Sequence, residues 1–248
     1  MIVIAHRGSS GAAPENTLAA FRQAIRDRAA MIEFDVRLSK DGVPVVIHDR
    51  RLNRTGKKRW RVRELTAAEL VAVDVGRWRG RSFAGESIPL LSDVLTALPS
   101  TVGVNVELKT DGDRRRAGAL AHAVARVLLG RGKGRKILVS SFDHRALRLF
   151  RRAAPRIPVG VLCMPVRDFG MVPSRLARRA GAEAFICSRS QARLWASREA
   201  HRGGIAYIVY GVNTVRHLRR MEKLQVDGVI TDFPARMRRA HVPGVAAS

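Results

Sequence analysis

The stretch that decides the fold of this chain reads Ile2-Val3-Ile4-Ala5-His6-Arg7-Gly8 and runs into the turn Pro14-Glu15-Asn16-Thr17. Four apolar residues end at once in a histidine, an arginine and a glycine, and apolar residues at helical spacing follow the turn. This order predicts a buried strand, a polar loop and a helix. It places an imidazole and a guanidinium at the C-terminal end of a strand, where α/β folds carry their chemistry.

The composition predicts a folded chain rather than a disordered or membrane-spanning one. Of the 248 residues 46% are hydrophobic, and no apolar run reaches the roughly eighteen residues that a membrane span needs. Polar residues arrive as early as His6, so no signal peptide is expected and cytoplasmic residence is predicted. Cys163 and Cys187 lie inside apolar runs, which favours buried side chains over a disulfide or a metal pair.

The net charge of +25 raises the question of an anionic partner. Arginine supplies 39 of the 46 basic residues, which are scattered along the predicted helices, and aromatic residues make up only 5%. A general arginine bias that solvates the surface therefore explains the charge better than specific nucleic-acid binding, which needs stacking platforms. We expect this surface to steer anionic substrates and to attract polyanions or membrane surfaces weakly.

Apolar strand signals alternate with amphipathic helix signals along the chain. Most of the strand signals are continuous apolar runs, as expected for parallel strands covered on both faces. Eight strands alternating with helices predict a (β/α)8 TIM barrel of the α/β class. A doubly wound sheet is the main alternative, but its glycine fingerprint is absent after the first strand. The predicted strands are Ile2–Ala5, Met31–Val36, Val102–Leu108, Lys136–Ser140, Val159–Cys163, Ala184–Cys187, Ala206–Tyr210 and Gly228–Thr231.

The long segment between the second and third predicted strands breaks the alternation. It holds a short apolar run, Val43–Ile47, a basic turn, and a capping box that begins a helix at Thr66. An excursion of this length is typical of a functional element or a small subdomain. We therefore predict one TIM-barrel catalytic domain over residues 1–248, with a small insertion after the second strand at about 49–90 and a frayed tail over 240–248.

Glu33 and Asp35 stand two residues apart within the second predicted strand. Residues i and i+2 of a strand share a face, so both carboxylates point the same way while Phe34 points oppositely. Such a pair is costly to bury without a positive partner. A hard divalent cation such as Mg²⁺ or Ca²⁺ satisfies it, and so does an ion pair with arginine. The spacing alone leaves both interpretations open.

The third predicted strand repeats this arrangement. Asn105, Glu107 and Lys109 share one face, and in a barrel the last two emerge at the same rim as Glu33 and Asp35. A third carboxylate completes a metal shell, and the lysine is placed to hold a phosphate oxygen as a point charge. The alternative is a local ion pair between Glu107 and Lys109.

A second histidine, His48, also ends an apolar run. Two histidines at strand ends beside three carboxylates indicate a general acid and a general base. The sequence holds no G-x-S-x-G elbow, no phosphate-binding loop and no H-E-x-x-H pair. With Arg7 and Lys109 as cations, the set suits cleavage of a phosphate ester.

Seven short motifs follow one another over nearly the whole chain. They are His6–Gly8 with Pro14–Thr17, Glu33–Val36, Asp41–Asp49, Leu52–Gly56, Glu107–Lys109, Ser140–Phe142 and Asp227–Pro234. In this order they resemble the glycerophosphodiester phosphodiesterases of the bacterial, cytoplasmic type.

This resemblance implies a TIM barrel with an insertion after the second strand, and hydrolysis of glycerophosphodiesters to sn-glycerol 3-phosphate and an alcohol. The implied site residues are Glu33, Asp35 and Glu107 for one divalent cation, Mg²⁺ or Ca²⁺, His6 and His48 for acid–base catalysis, Arg7 and Lys109 for the phosphate, and Glu15 in a supporting role. The resemblance assigns neither the direction of proton transfer nor the attacking group, water or the glycerol 2-hydroxyl.

One departure from the family pattern concerns the end of the seventh strand. The family commonly carries Trp-Thr-Val-Asn there, whereas this chain reads Tyr210-Gly211-Val212-Asn213. The resemblance gives Tyr210 a supporting role as an aromatic wall, while the glycine alters the shape of the alcohol or glycerol pocket. A different substrate preference is therefore expected.

Two other functions are considered. The same site acting on lysophospholipids, as in related phospholipase D-like enzymes, is the alternative, and the basic surface would help such an enzyme at anionic membranes. A basic nucleic-acid-binding protein is the remote alternative. A binding protein has no need of three inward carboxylates beside strand-end histidines, so the enzyme hypothesis is preferred.

Overall fold

The computed structural model describes residues 1–164, 166–168 and 170–241 and contains eight parallel strands and one short antiparallel strand. Every predicted strand is present, with ends that differ from the prediction by at most two residues. The strands are β1 (Ile2–His6), β2 (Met31–Leu38), β3 (Pro44–Val46), β4 (Gly103–Leu108), β5 (Ile137–Ser141), β6 (Val159–Leu162), β7 (Ala184–Ser188), β8 (Ala206–Tyr210) and β9 (Gly228–Thr231).

The parallel strands close on themselves because β1 pairs with β2 on one side and with β9 on the other. This closure confirms the predicted (β/α)8 TIM barrel and rules out the doubly wound sheet. A helix follows each barrel strand, as the amphipathic stretches indicated. The described helices are α1 (Leu18–Arg26), α2 (Ala67–Val71), α3 (Leu91–Ala97), α4 (Arg114–Arg131), α5 (His144–Ala153), α6 (Pro173–Ala180), α7 (Leu194–Arg202), α8 (Val215–Lys223) and α9 (Pro234–Ala240).

Side-chain alternation along the strands separates two apolar layers. Outward residues such as Phe34, which is fully buried, pack against the helices in the main core. Inward residues, among them Ile4, Ile186 and Ile230, form a smaller apolar layer inside the barrel. Polar side chains therefore have room only at the ends of the barrel, and the C-terminal end carries Glu33 and its neighbours.

The inserted segment has a small apolar cluster of its own. The predicted apolar run Val43–Ile47 forms β3, which pairs antiparallel with the end of β2. The predicted capping box is present, since Thr66 and Glu69 cap each other at the start of α2. The buried residues of the cluster are Val45, Ile47, Leu52, Val62, Leu70, Val73, Val75 and Ile88.

Three further expectations concern single features. Cys163 and Cys187 are both buried, as their apolar context predicted. Ala240 is the last residue of α9, and residues 242–248 of the expected frayed tail lie outside the described residues. Within the described part of the chain, we find no helix with the length and apolar character to span a bilayer.

Gly8 gives a direct test of how tightly the first loop packs on α1. Its φ is +80°, and an added Cβ would lie 2.6 Å from the backbone carbonyl carbon of Ala20. Gly42 has a matching φ of +79° but no atom within 4 Å of an added Cβ. We expect Gly42→Ala to lower the free energy of unfolding by about 1 kcal/mol, the cost of the left-handed backbone alone, and Gly8→Ala by about 3 kcal/mol or more. Urea denaturation measures the free energy of unfolding of both variants. Equal losses would show that α1 shifts to make room for the new methyl group at residue 8.

Candidate active site

Three buried carboxylates meet at the C-terminal end of the barrel. Asp35 on β2 lies in register with Glu107 on β4, and Glu33 lies in register with His6 on β1. Carboxylate oxygens of Glu33, Asp35 and Glu107 all lie within 4.8 Å of one another. The structure thus brings together the three residues that the two-residue spacing placed on one face.

Burial and mutual repulsion dominate the electrostatics of these carboxylates. Burial, with the charge of Asp35 next, raises the pKa of Glu33 well above its ordinary value. Burial also raises the pKa of Glu107. Burial alone would raise the pKa of Asp35 as well, but Lys109 and Arg7 outweigh it and hold that pKa well below its usual range. Burial without enough positive charge nearby therefore disfavours the ionised forms of Glu33 and Glu107, while Asp35 stays ionised beside Lys109 and Arg7.

His6 stands at the end of β1 with both ring nitrogens near carboxylates. Its Nδ1 lies 2.7 Å from Oδ1 of Asp232, and its Nε2 lies 4.0 Å from Oε2 of Glu33. Burial alone would lower the pKa of His6, but the hydrogen bond to Asp232 and the charge of Glu33 raise it above its ordinary value. The ring is thus held by Asp232 through Nδ1, which leaves Nε2 facing the carboxylate cluster.

Asp232 follows β9 and is itself fixed by neighbouring side chains. Asn213 Nδ2 donates to Asp232 Oδ2 at 2.5 Å, and Ser10 Oγ donates to Oδ1 at 2.9 Å. The backbone N–H of Asp232 donates in turn to Asn213 Oδ1 at 3.0 Å. Asn213 closes the motif that begins at Tyr210, so its amide orients the carboxylate that orients His6.

His48 lies beyond β3 and has a carboxylate partner of its own. Its Nδ1 is 2.7 Å from Oδ1 of Asp49, and Arg54 Nε donates to Oδ2 of the same carboxylate at 2.7 Å. Burial lowers the pKa of His48 below its ordinary value, and the charge of Asp35 offsets only part of this effect. Each histidine thus has a carboxylate at Nδ1, but the pKa of His6 is raised and that of His48 is lowered.

Arg7 and Glu15 connect the first loop to the carboxylates. Arg7 Nη1 donates to Glu15 Oε1 at 2.8 Å, and its Nε lies 3.1 Å from Asp35 Oδ2. Arg54 reaches the same Glu15 through two hydrogen bonds of 2.6 and 2.8 Å. Burial alone would raise the pKa of Glu15, but these arginines hold it below its ordinary value. Glu15 therefore fixes a guanidinium beside Asp35.

Lys109 lies among the carboxylates rather than apart from them. Its Nζ is 2.6 Å from Glu107 Oε1 and 3.2 Å from Asp35 Oδ1. The local ion pair that the sequence left as an alternative is thus present in the structure. The ammonium also lies 5.9 Å from the ring centroid of Phe142 at the cavity wall.

Asn16 belongs to the Pro14–Thr17 motif, but the sequence predicted no role for it in the site. Its Nδ2 donates to Asp35 Oδ2 at 2.9 Å, and its Oδ1 accepts the backbone N–H of Asp35 at 3.2 Å. Asn16 has a φ of 59°, and Arg7 has a φ of 54°. Left-handed backbone is rare outside glycine and concentrates at functional sites, and asparagine tolerates it better than most residues.

A cavity of about 240 Å³ opens above the carboxylates. Its polar wall includes both predicted histidines, Arg7 and Lys109, and its apolar wall is formed by Phe142, Leu162, Tyr210 and Ile230. His48, Glu107, Lys109 and Phe142 also line an adjoining cavity of about 470 Å³. Tyr210 lies at the wall of the first cavity.

The sequence reasoning did not assign Asp49, Arg54, Asn213 or Asp232 to the site. Asp49 directly follows His48, and that adjacency was a usable signal. Asp232 is 226 residues from His6 along the chain, and only closure of the barrel brings the two together.

The rim described above has the chemistry of a TIM-barrel phosphodiesterase, with proton-transfer groups, cations and an acidic cluster around one cavity. Comparison with known proteins gives the same class. The sequence profile of the Glycerophosphoryl diester phosphodiesterase family matches residues 6–236. The chain belongs to this family, and it is a glycerophosphodiester phosphodiesterase by activity.

Relatives and solved structures cover nearly the full chain. The glycerophosphodiester phosphodiesterase of Caldanaerobacter subterraneus subsp. tengcongensis is 34% identical over 235 residues, 94% of each chain. That of Bacillus altitudinis is 33% identical over 241 residues, 94% of this chain and 95% of the relative. A phosphodiesterase of Oleispira antarctica, solved in complex with the product sn-glycerol-3-phosphate, superposes with a TM-score of 0.90 at 28% identity, over 97% of this chain and 96% of that one.

Proposed function

We propose that the chain hydrolyses glycerophosphodiesters to sn-glycerol 3-phosphate and an alcohol with the help of one divalent cation, Mg²⁺ or Ca²⁺. In this proposal Glu33, Asp35 and Glu107 hold the cation. The observation that carries the proposal is their cluster of ligand oxygens, all within 4.8 Å of one another. The product bound to the Oleispira antarctica structure supports the choice of ester bond.

The residues of the cluster fit a hard cation. All three carboxylates are buried, and Glu33 Oε1 has no hydrogen-bond partner among the described residues. A buried carboxylate oxygen without a partner costs free energy that a cation would recover. An oxygen-only ligand set suits Mg²⁺ or Ca²⁺ better than softer metals. When bound, the cation supplies positive charge that stabilises the developing charge on the phosphoryl oxygens.

The cationic side chains then hold the substrate at the mouth of the cavity. Lys109 and Arg7 both line the cavity, and each is anchored to Asp35, so they are fixed before substrate arrives. Fixed cations stabilise charge on phosphoryl oxygens without reorganising during the reaction. Glu15 supports Arg7, and Tyr210 contributes an aromatic wall for one arm of the diester.

His6 and His48 move the protons in this proposal. Each binds a carboxylate through Nδ1, so Nε2 is the nitrogen left for the substrate. One histidine takes a proton from the attacking group, water or the glycerol 2-hydroxyl, and the other gives a proton to the leaving alkoxide. The substrate is thus cleaved between two imidazoles whose orientation Asp232 and Asp49 fix.

Product analysis tests the proposal. Metal-replete protein incubated with glycerophosphocholine should release sn-glycerol 3-phosphate and choline in equal amounts, measured by coupled enzymatic assay and chromatography. Glycerophosphoethanolamine and glycerophosphoglycerol should react as well, and lysophosphatidylcholine much more slowly. Faster turnover of the lysolipid would favour the phospholipase D-like alternative. Metal-replete protein that is inert on every soluble diester, or that releases phosphocholine, would contradict the proposal.

We also propose that the chain is one catalytic domain with residues 49–90 as its insertion. Six of the eight buried residues of the smaller apolar cluster lie in that segment, and the ion pair of Arg54 with Glu15 joins the segment to the first loop of the barrel, which supports this division. A cytoplasmic location remains a prediction of the sequence.

A further inference from the structure

The inserted segment contains a basic loop, residues 50–63, whose composition differs from the rest of the chain. Eight of its residues are lysine or arginine, and none is aspartate or glutamate. The chain as a whole has 46 basic and 21 acidic residues. The basic loop consists of Arg50, Arg51, Leu52, Asn53, Arg54, Thr55, Gly56, Lys57, Lys58, Arg59, Trp60, Arg61, Val62 and Arg63.

The two ends of the basic loop are pinned to each other and to the protein. Arg51 and Arg61 form an antiparallel bridge, and the backbone N–H of Leu52 donates to the Trp60 carbonyl at 3.1 Å. Leu52 and Val62 are buried in the apolar cluster of the insertion. Residues 57–59 are therefore displayed as the tip of a turn with a fixed base.

The tip presents cations and an aromatic ring together. Lys57, Lys58 and Arg59 are exposed and make no ion pair with any described residue. Trp60 is 49% exposed, and Lys58 Nζ lies 5.3 Å from its ring centroid. Free cations flanking a half-exposed indole are the side chains found where proteins meet the headgroup region of a bilayer.

The basic loop also lies beside the cavity. Arg54 is the residue that joins it to the site, through ion pairs with Glu15 and Asp49. The charge of Arg54 is neutralised by these ion pairs, whereas the three basic residues of the tip form no ion pair among the described residues. The base of the basic loop therefore lies at the rim that surrounds the cavity.

We propose that the basic loop docks this protein onto an anionic lipid surface, with Trp60 among the headgroups and Lys57, Lys58 and Arg59 on lipid phosphates. Charge complementarity argues for this partner, since every charged residue of the loop is basic and an anionic lipid surface carries net negative charge. A nucleic acid fits less well, because a single indole offers no series of stacking platforms. Docking would hold the cavity where diesters released from lipids by deacylation enter the water.

Vesicle sedimentation of the full chain tests the proposal with a matched control. The loop variant is Lys57→Gln, Lys58→Gln and Arg59→Gln together. The control removes equal charge from Arg152, Arg178 and Arg202, at the C-terminal ends of α5, α6 and α7 and hence at the opposite end of the barrel. On equimolar phosphatidylglycerol and phosphatidylcholine, the loop variant should lose about tenfold or more of its partition coefficient, and the control far less. Equal losses would show that net charge alone drives binding, which overturns the proposal.

Tryptophan substitutions give a second readout that does not depend on charge. Trp195 is 58% exposed on α7 and serves as the comparison for Trp60. In protein that carries Trp78→Phe throughout, brominated lipid should quench the fluorescence of the vesicle-bound form, and Trp60→Phe should abolish that quenching while Trp195→Phe leaves it. Quenching that survives Trp60→Phe contradicts the proposal.

A second contradictory result would be a loop variant that loses binding to single-stranded DNA but keeps binding to vesicles. Turnover of a soluble diester, equal to wild type, shows that each variant is folded.

Discussion

Glu33→Gln will make the ion-free protein more stable and the metal-replete protein nearly inactive. Glutamine keeps the shape of the buried side chain and removes one of three mutually repelling carboxylates, so the free energy of unfolding should rise by about 1 kcal/mol or more. The missing charge also weakens the proposed cation site. Because a bound metal supplies several kcal/mol of charge stabilisation, kcat/KM on glycerophosphocholine should fall by about a thousandfold.

Thermal denaturation with and without metal separates these effects. Wild-type protein should gain Tm when Mg²⁺ or Ca²⁺ is added, because a cation that binds only the folded state stabilises it. Glu33→Gln should start from a higher Tm and gain little. Glu64→Gln makes the same chemical change at an exposed position and should do neither. A Glu33→Gln protein that retains the full metal-induced rise and wild-type turnover would refute the assignment of the three carboxylates.

Removal of the metal with EDTA is the companion experiment. Chelation and dialysis should abolish turnover of wild-type protein, and adding back Mg²⁺ or Ca²⁺ separately should restore it. The ion that restores more activity is the preferred cofactor, which the oxygen-only ligand set leaves open. Full activity after exhaustive chelation would argue against metal dependence.

His6→Gln will lower kcat by about a hundredfold to ten-thousandfold, the usual contribution of a positioned acid or base. Asp232→Asn should also lower kcat, by a factor that approaches the loss in His6→Gln, because the ring remains but loses the carboxylate that holds Nδ1–H. An asparagine that donates to Nδ1 would turn the imidazole to the wrong tautomer. His122→Gln alters an exposed histidine on α4 and should leave kcat unchanged. Wild-type kcat in Asp232→Asn would mean that Asp232 only packs against the ring.

A change of leaving group assigns the two histidines. In a glycerophosphodiester of nitrophenol, the nitrophenolate departs without protonation. This substrate should therefore restore much of the rate to the variant that lacks the general acid. Comparing His6→Gln with His48→Gln on this substrate and on glycerophosphocholine identifies the acid as the rescued position. Equal rescue of both variants would contradict a division of roles between them.

Local patterns made most of the fold predictable. Apolar strand signals, most of them continuous runs, predicted all eight barrel strands, because parallel barrel strands are covered on both faces. The antiparallel pairing of β3, which lies within the apolar run Val43–Ile47, could not be predicted from such a local pattern. That run reads as a short apolar stretch, and its antiparallel contact with the end of β2 depends on where the following insertion packs.

The candidate site also contains residues that local patterns predict and residues that only tertiary contacts bring together. Glu33, Asp35, Glu107 and Lys109 were found because the two-residue period of a strand fixes their common face whatever the partner strands are. Asn16 was quoted as part of a motif, but its two hydrogen bonds to Asp35 depend on a left-handed turn that the sequence does not specify. Asp232 and Asn213 act on His6 only through ring closure, which no local pattern encodes.

That closure has a consequence for synthesis on the ribosome. β1 leaves the exit tunnel well before the β9 edge that it pairs with, because Asp232 follows His6 by 226 residues along the chain. A nascent chain that ends before residue 228 has the three carboxylates, both histidines and Lys109 but no ring and no partner for Nδ1 of His6. The ring and the hydrogen bond that holds His6 are therefore completed only after β9 and Asp232 have been synthesised.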